Sequence, residues 1–171
     1  MPSDTRIDEH TEGHDATVGP LDRQRPARAI NELTRGECLA LLGSHDFGRV
    51  AVRLGEGPPV IRPVNYLFDV SSQSVVFRTD PGSKLYALLH AADAAFEVDG
   101  VDERSRVGWS VIIQGVTEKI TREQELRRLA RLGFESWAPG AKAHWMRIRA
   151  RTVSGRRLVL GADGVPGLYL G

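Results

Sequence analysis

Between positions 47 and 160, hydrophobic and polar residues alternate in short runs that are separated by turn residues. A period of two puts every second side chain on the same face, which is typical of half-buried strands. The pattern predicts strands at residues 47–53, 60–68, 74–79, 94–98, 109–120 and 145–150. The first connections, at 55–59 and 69–72, are short, and short connections favour antiparallel pairing. A last apolar run at 156–160 predicts a hairpin partner that folds back around Ser154 and Gly155.

Three other segments have helical spacing. Residues 33–42 begin with a capping box formed by Thr34 and Glu37, and Gly43 is the expected stop. Residues 83–91 and 121–136 predict two more helices, the second capped by Thr121. The elements together predict a mainly β fold with helices, an antiparallel six-stranded barrel.

The beginning of the chain differs from the rest. Residues 1–28 mix glycine, proline, histidine and charges without hydrophobic periodicity, so we expect a disordered polar tail. Residues 29–171 form the predicted single domain. The chain has 171 residues, 41% of them hydrophobic, which is enough to bury a core.

Composition argues against several function classes. The 23 basic and 22 acidic residues give a net charge of +1, so no nucleic-acid partner is expected. The single cysteine, Cys38, forms no internal disulfide or zinc cluster, and the start of the chain lacks a secretory apolar segment. We therefore expect a cytoplasmic protein. No apolar run is long enough to span a membrane, so no membrane association is expected.

A candidate anion site lies where the strand at 74–79 runs into Gly82, Ser83 and Lys84. Backbone N–H groups at a helix start attract anions, and Thr79, Ser83 and Lys84 would add hydroxyls and a charge. Only three of the 23 basic residues are lysines, which makes this one notable. The alternative is a solvated turn in which Asp80 or Ser83 caps the helix.

Arginines occur inside predicted strands at positions 49, 62 and 78. A buried guanidinium needs a partner, which would be an anionic ligand or, alternatively, Glu97 and Asp99. A further alternative is that these arginines lie on an outer face. Arg62 is the best ligand candidate, because Asn65 and Tyr66 follow it and offer hydrogen bonds to a heterocycle.

Aromatic residues give a weaker signal. Trp109 lies between Gly108 and Ser110, and glycine in a strand marks a bulge or the close approach of a ligand or backbone. We expect the indole to pack and the Ser110 backbone to meet a ligand. Trp137 and Trp145 flank residues 138–141 and would form either a substrate wall or a subunit contact. The histidines are scattered and form no recognisable catalytic triad.

Five segments in order along the chain carry a resemblance to a known family: FGRVA at 47–51, PVNY at 63–66, FRTDPGSK at 77–84, FEVD at 96–99 and GWSV at 108–111. They resemble the pyridoxamine 5'-phosphate oxidase-like flavoproteins, and more narrowly the nitroimidazole-resistance-type FMN proteins. The resemblance covers about residues 33–148. It implies a split β-barrel homodimer that binds FMN at the subunit interface.

The resemblance also implies roles for particular residues. Thr79, Ser83 and Lys84 would hold the FMN phosphate, with Arg78 at the phosphate or ribityl chain. The flavin ring would contact Pro63, Val64 and Asn65 through backbone and side chain, and Arg62 just before them is counted among the cofactor-binding residues. Ser110 and Val111 would meet the flavin from another strand. The Arg-x-His arrangement of true pyridoxamine phosphate oxidases is absent, since Arg147 and Arg149 flank an isoleucine.

The expected function is therefore an FMN-dependent oxidoreductase. It would act on a small electron-poor substrate such as a quinone or nitro compound, with a nicotinamide as one candidate electron donor. Two alternatives stay open. The protein would bind or sequester flavin without turnover, or the same barrel would hold a deazaflavin or haem.

Overall fold

The computed structural model describes residues 28–53, 56–80, 89, 93–134, 137 and 142–160. Residues 1–27 of the predicted tail, and the segment 161–171, lie outside the described residues. So does most of the predicted helix at 83–91, of which only Leu89 is described. The described elements are β1 (Arg28–Glu32), α1 (Arg35–Ser44), β2 (Phe47–Arg53), β3 (Pro59–Asn65), β4 (Leu67–Asp69), β5 (Ser74–Thr79), β6 (Asp93–Asp102), β7 (Val107–Lys119), α2 (Glu123–Ala130) and β8 (His144–Leu160).

All described strands join one antiparallel sheet in the order β3-β2-β6-β7-β8-β5-β4, with β1 added to β8. The sheet curls so that β3 also approaches β5, as in a split barrel. The mainly β, antiparallel split-barrel prediction is confirmed. The described sheet has eight strands rather than six, because the predicted strand at 60–68 divides at Tyr66 and β1 was not predicted.

The core fills the concave side of the sheet. Phe77, Phe96, Ile113 and Ile148 are fully buried there. The Tyr66 ring meets Phe96 edge-on at 4.7 Å, and its hydroxyl donates a hydrogen bond to the Leu42 carbonyl at 2.9 Å. That bond ties the core to α1, and burial raises the pKa of the Tyr66 hydroxyl.

The two described helices differ in how well their ends were predicted. In α1 the capping box between Thr34 and Glu37 is confirmed, although Gly43 lies inside the helix rather than ending it. In α2 the predicted Thr121 cap is wrong. Arg122 takes the N-cap position without a side-chain bond, and the chain leaves the helix before Gly133, whose φ is +71°. Neither helix is long and apolar enough to cross a membrane.

The predicted hairpin around Ser154 and Gly155 is wrong, because β8 continues through both residues. Gly155 pairs with Val111 in β7, and a Cβ at position 155 would lie 2.7 Å from the Cys38 sulfur. The glycine therefore allows α1 to approach the strand closely and does not form a turn.

Candidate functional site

The candidate site lies at one corner of the barrel, where β3 ends. Residues paired across two antiparallel strands point to the same face. Arg62 pairs with Val50 and Val64 pairs with Gly48, so both have their side chains on the core face. Asn65 pairs with Phe47 on the opposite face, together with Pro63. Because β3 is an edge strand, Arg62 and Pro63 are exposed, whereas Val64 is buried.

Arg62 carries a charge without an acidic partner. Its guanidinium donates one hydrogen bond, to the neighbouring Ile61 carbonyl at 2.8 Å. It forms no ion pair with any acid in the described part of the chain. Arg49, on the adjacent strand, pairs with Asp99 as the sequence alternative predicted. Unlike Arg49, Arg62 is therefore available to an anion.

Asn65 has a buried hydrogen-bond donor for which the described residues supply no acceptor. Its Oδ1 accepts a hydrogen bond from the Trp137 backbone N–H at 3.1 Å, which fixes the orientation of the amide. Its Nδ2 is buried and finds no acceptor within the described residues. A buried, unpaired donor is costly and rare in folded proteins. Such an atom fits a ligand that supplies the acceptor.

The end of β5 supplies the second half of the corner. Thr79 is buried on the core face, and Arg78 lies half-buried on the opposite face. The Arg78 Nε donates to the Lys142 carbonyl at 2.7 Å, and its guanidinium lies 5.2 Å from the centre of the Trp145 ring. The Lys142 backbone N–H and ammonium lower the pKa of the Asp80 carboxyl. Arg78 is thus already engaged by the protein.

Gly82, Ser83 and Lys84 lie outside the described residues, so their role at a phosphate stays a prediction. Thr79 is the last residue of β5 and leads towards them. Within the described ranges, no group of three histidine, cysteine or carboxylate side chains is placed to hold a metal ion. The described donors of the corner suit an organic anion or heterocycle.

An aromatic pair borders Asn65. The rings of Phe47 and Trp137 stack with centroids 5.5 Å apart and planes inclined by 3°. Both rings stay open to solvent, with Trp137 66% and Phe47 41% exposed. The sequence pointed to Trp137, whereas Phe47 enters it only as the first residue of the FGRVA segment and not as a candidate site residue. We refer to Phe47, Asn65 and Trp137 as the aromatic corner.

Ser110 and Val111 lie elsewhere in the chain's own fold. Val111 is fully buried in the core, and its backbone pairs with β6 on one side and β8 on the other, so within one chain it is not open to a ligand. Ser110 is half-buried on the outer face of β7, which is three strands, or about 14 Å, from β3. Within one chain these two residues therefore do not line the same site as Asn65.

A separate cleft of about 590 Å³ opens beside Trp109 and His45. Their rings meet at 4.8 Å, and a Cβ at Gly100 would lie 2.7 Å from the indole nitrogen. Trp109 therefore packs against its own chain, as expected, while also lining this cleft.

Comparison with known proteins agrees with this fold. The family described as Pyridoxamine 5'-phosphate oxidase matches residues 34–157. The chain belongs to this family. An uncharacterized Mycobacterium tuberculosis relative in this comparison is 37% identical over 138 residues, covering 78% of this chain and 88% of the relative.

Solved structures extend the comparison. The FAD binding protein from Mycobacterium smegmatis is 31% identical with a TM-score of 0.64, covering 74% of this chain and 97% of its own. A Bacteroides thetaiotaomicron protein whose name refers to 5-nitroimidazole antibiotic resistance has a TM-score of 0.61 over 78% of this chain and 90% of its own. At 12% identity that second likeness shows a shared fold alone.

Proposed function

We propose that this member of the pyridoxamine 5'-phosphate oxidase family is a flavoprotein that binds FMN at the corner formed by β3 and β5. The observation that carries the proposal is the buried Asn65 Nδ2, a donor without an acceptor in the described residues. A flavin ring has carbonyl and ring-nitrogen acceptors along one edge. The unpaired Arg62 guanidinium on the same strand supports an anionic ligand.

The proposal assigns roles to the chain's own residues. Asn65 would donate to the flavin edge, and Pro63 and Val64 would line the ring through their backbone. Thr79, with the predicted Ser83 and Lys84, would hold the phosphate, and Arg62 would balance its charge. Arg78 would border the site from its position between Lys142 and Trp145. FMN, when bound, supplies hydride and single-electron chemistry that side chains lack.

A homodimer completes this proposal. Ser110 and Ile112 lie on the outer face of β7 next to a shallow cleft of about 500 Å³, and Ile112 is 39% exposed. A second copy that faces this surface would bring Ser110 to a flavin held by β3 of the first. Size-exclusion chromatography with light scattering tests the dimer, and a monomer that binds FMN tightly would contradict it.

The reaction proposed is electron transfer from a nicotinamide through FMN to a small electron-poor substrate. The decisive experiment is an anaerobic absorption spectrum of the purified protein with FMN, before and after NADPH or NADH. Flavin bands that bleach support an oxidoreductase, whereas bands that persist with both donors support flavin storage. A haem spectrum, or tighter binding of FAD than of FMN by calorimetry, would overturn the choice of FMN.

The phosphate turn has its own test. Lys84→Ala removes the proposed charge at the phosphate, and Lys119→Ala is the matched control on β7. We expect FMN affinity to fall about tenfold in the first variant and to stay unchanged in the second. Equal FMN affinity in the two variants would mean that the turn only caps a helix.

A further inference from the structure

The stacked pair of Phe47 and Trp137 is unusual because both rings are left open to water. Stacked aromatic rings normally bury much of their surface, yet Trp137 is 66% exposed. Trp145 shows the ordinary arrangement, since it is half-buried, packs against Phe134 at 5.6 Å and lies under the Arg78 guanidinium. An exposed flat aromatic surface is a feature of binding sites.

One member of the pair, Phe47, is held in place by the sheet. Phe47 lies directly opposite Asn65 in the β2–β3 ladder. The Asn65 Oδ1 accepts a hydrogen bond from the Trp137 backbone N–H, so the same amide group anchors the backbone from which the indole extends. Groups fixed by regular elements and hydrogen bonds hold a ligand with little loss of entropy.

We propose that the Phe47–Trp137 pair is the substrate-binding surface, and that the substrate is a flat, electron-poor aromatic compound of the quinone or nitroaromatic class. This inference rests on the proposed function, because Asn65 is assigned to the flavin edge through Nδ2. Since Phe47 lies opposite Asn65 in the ladder and stacks on the indole, a ring bound on this pair would lie at the same corner as that flavin edge. An electron-rich indole favours an electron-poor ring over an aliphatic molecule.

The test separates substrate from cofactor. FMN-loaded protein is titrated with oxidised 2-methyl-1,4-naphthoquinone in a calorimeter without any reductant, so that binding alone is measured. Trp137→Leu keeps an apolar side chain but removes the aromatic face, and Trp137→Phe restores part of it. Leu132→Ala, at another exposed apolar position, is the matched control.

We expect quinone affinity to fall about tenfold in Trp137→Leu, to recover in Trp137→Phe and to stay unchanged in Leu132→Ala. FMN affinity should change less than about twofold in all three variants. Equal quinone affinity in wild type and Trp137→Leu would overturn the inference. So would a loss of FMN affinity in that variant, because the indole would then hold the cofactor.

Two further measurements keep the proposals distinct. If wild type binds no FMN, the proposed function fails, and the same titration is made on the flavin-free protein. Quinone binding that still depends on Trp137 would then support the aromatic surface, and its absence would overturn it. If Trp137→Leu instead converts a dimer to a monomer, a second copy covers the pair and the inference is overturned.

Discussion

Two regions of the barrel differ in whether their polar side chains have partners within the protein. Around α2 and β8 several arginines are paired: Arg147 contacts Glu118 at 2.9 Å and Glu125 at 2.7 Å, and Arg128 contacts Asp69 at 2.6 Å. At the end of β3, Arg62 has no acidic partner among the described residues, and Asn65 Nδ2 has no acceptor. The first region pairs these arginines with its own acids, whereas the second has a cation and a hydrogen-bond donor that the proposed FMN would engage.

The difference separates residues that stabilise the fold from residues that bind. Breaking a buried pair leaves a charge without compensation and costs stability. Replacing a group that has no partner costs the free protein little, so its effect should appear only when the ligand is present. Substitutions around α2 and β8 should therefore change the unfolding free energy, whereas substitutions at the end of β3 should change FMN affinity.

The largest effect is expected from Arg128→Met. The Asp69 side chain is 3% exposed and accepts from Arg128, Ser71 and Ser72, so the variant leaves a buried carboxylate with fewer donors. Because Arg128 itself is 37% exposed, we expect a loss of about 2 kcal/mol in unfolding free energy, below the cost of a fully buried pair. Urea unfolding followed by circular dichroism measures this. Arg127→Met, whose partner Glu123 is exposed, is the control.

A pH dependence follows from the same carboxylate. Hydrogen bonds from Arg128, and then from Ser72 and Ser71, hold the pKa of Asp69 well below its usual range. A lowered folded-state pKa gives stability that is complete above the unfolded value of about 4 and is lost as the pH falls through the range below it. The stability difference between wild type and Asp69→Asn should therefore be largest at pH 7 and shrink below about pH 4. A constant difference would contradict this assignment.

The elements of the fold also differ in how well the sequence predicted them. The start of α1 was predictable because Thr34 and Glu37 cap it through neighbours in sequence. The bounds of α2 were not, since Asp69 holds it from a distant strand and Gly133 follows its end. The hairpin prediction was wrong because Gly155 is needed for the close approach of Cys38 and not for a turn. That approach is seen only in the folded structure.

For the site, the sequence pointed to Arg62 and Asn65, but it could not show which hydrogen-bond and ion-pair partners these residues would be missing in the fold. A missing partner is a property of the folded surroundings, so it appears only once β3 is seen at the sheet edge. Phe47 belongs to the FGRVA segment, but nothing in the sequence indicated its role in the aromatic corner, because its stacking partner is distant along the chain. The separation of Ser110 from β3 likewise depends on strand order, which alternation along the chain does not specify.

A smaller effect is expected from Arg62→Gln, and it should appear in FMN binding rather than in stability. The exposed guanidinium has no acidic partner to lose, so unfolding free energy should change by less than about 0.5 kcal/mol. Loss of a charge-assisted contact should weaken FMN binding about tenfold by calorimetry. Arg49→Gln on the adjacent strand, where Asp99 already takes the charge, should leave FMN affinity unchanged. An equal loss in both variants would indicate only a general effect of charge.

The smallest and most discriminating change is Asn65→Leu. Leucine has a similar shape and removes the donor that has no acceptor, while water replaces the bond to the exposed Trp137 N–H. Unfolding free energy should therefore stay within about 0.5 kcal/mol of wild type, or rise, because a buried donor no longer lacks a partner. FMN affinity should fall about fivefold, the value of one neutral hydrogen bond. If the variant loses stability but keeps FMN affinity, Asn65 stabilises the fold, as the paired residues around α2 and β8 do. The proposed difference between the two regions would then be wrong for Asn65.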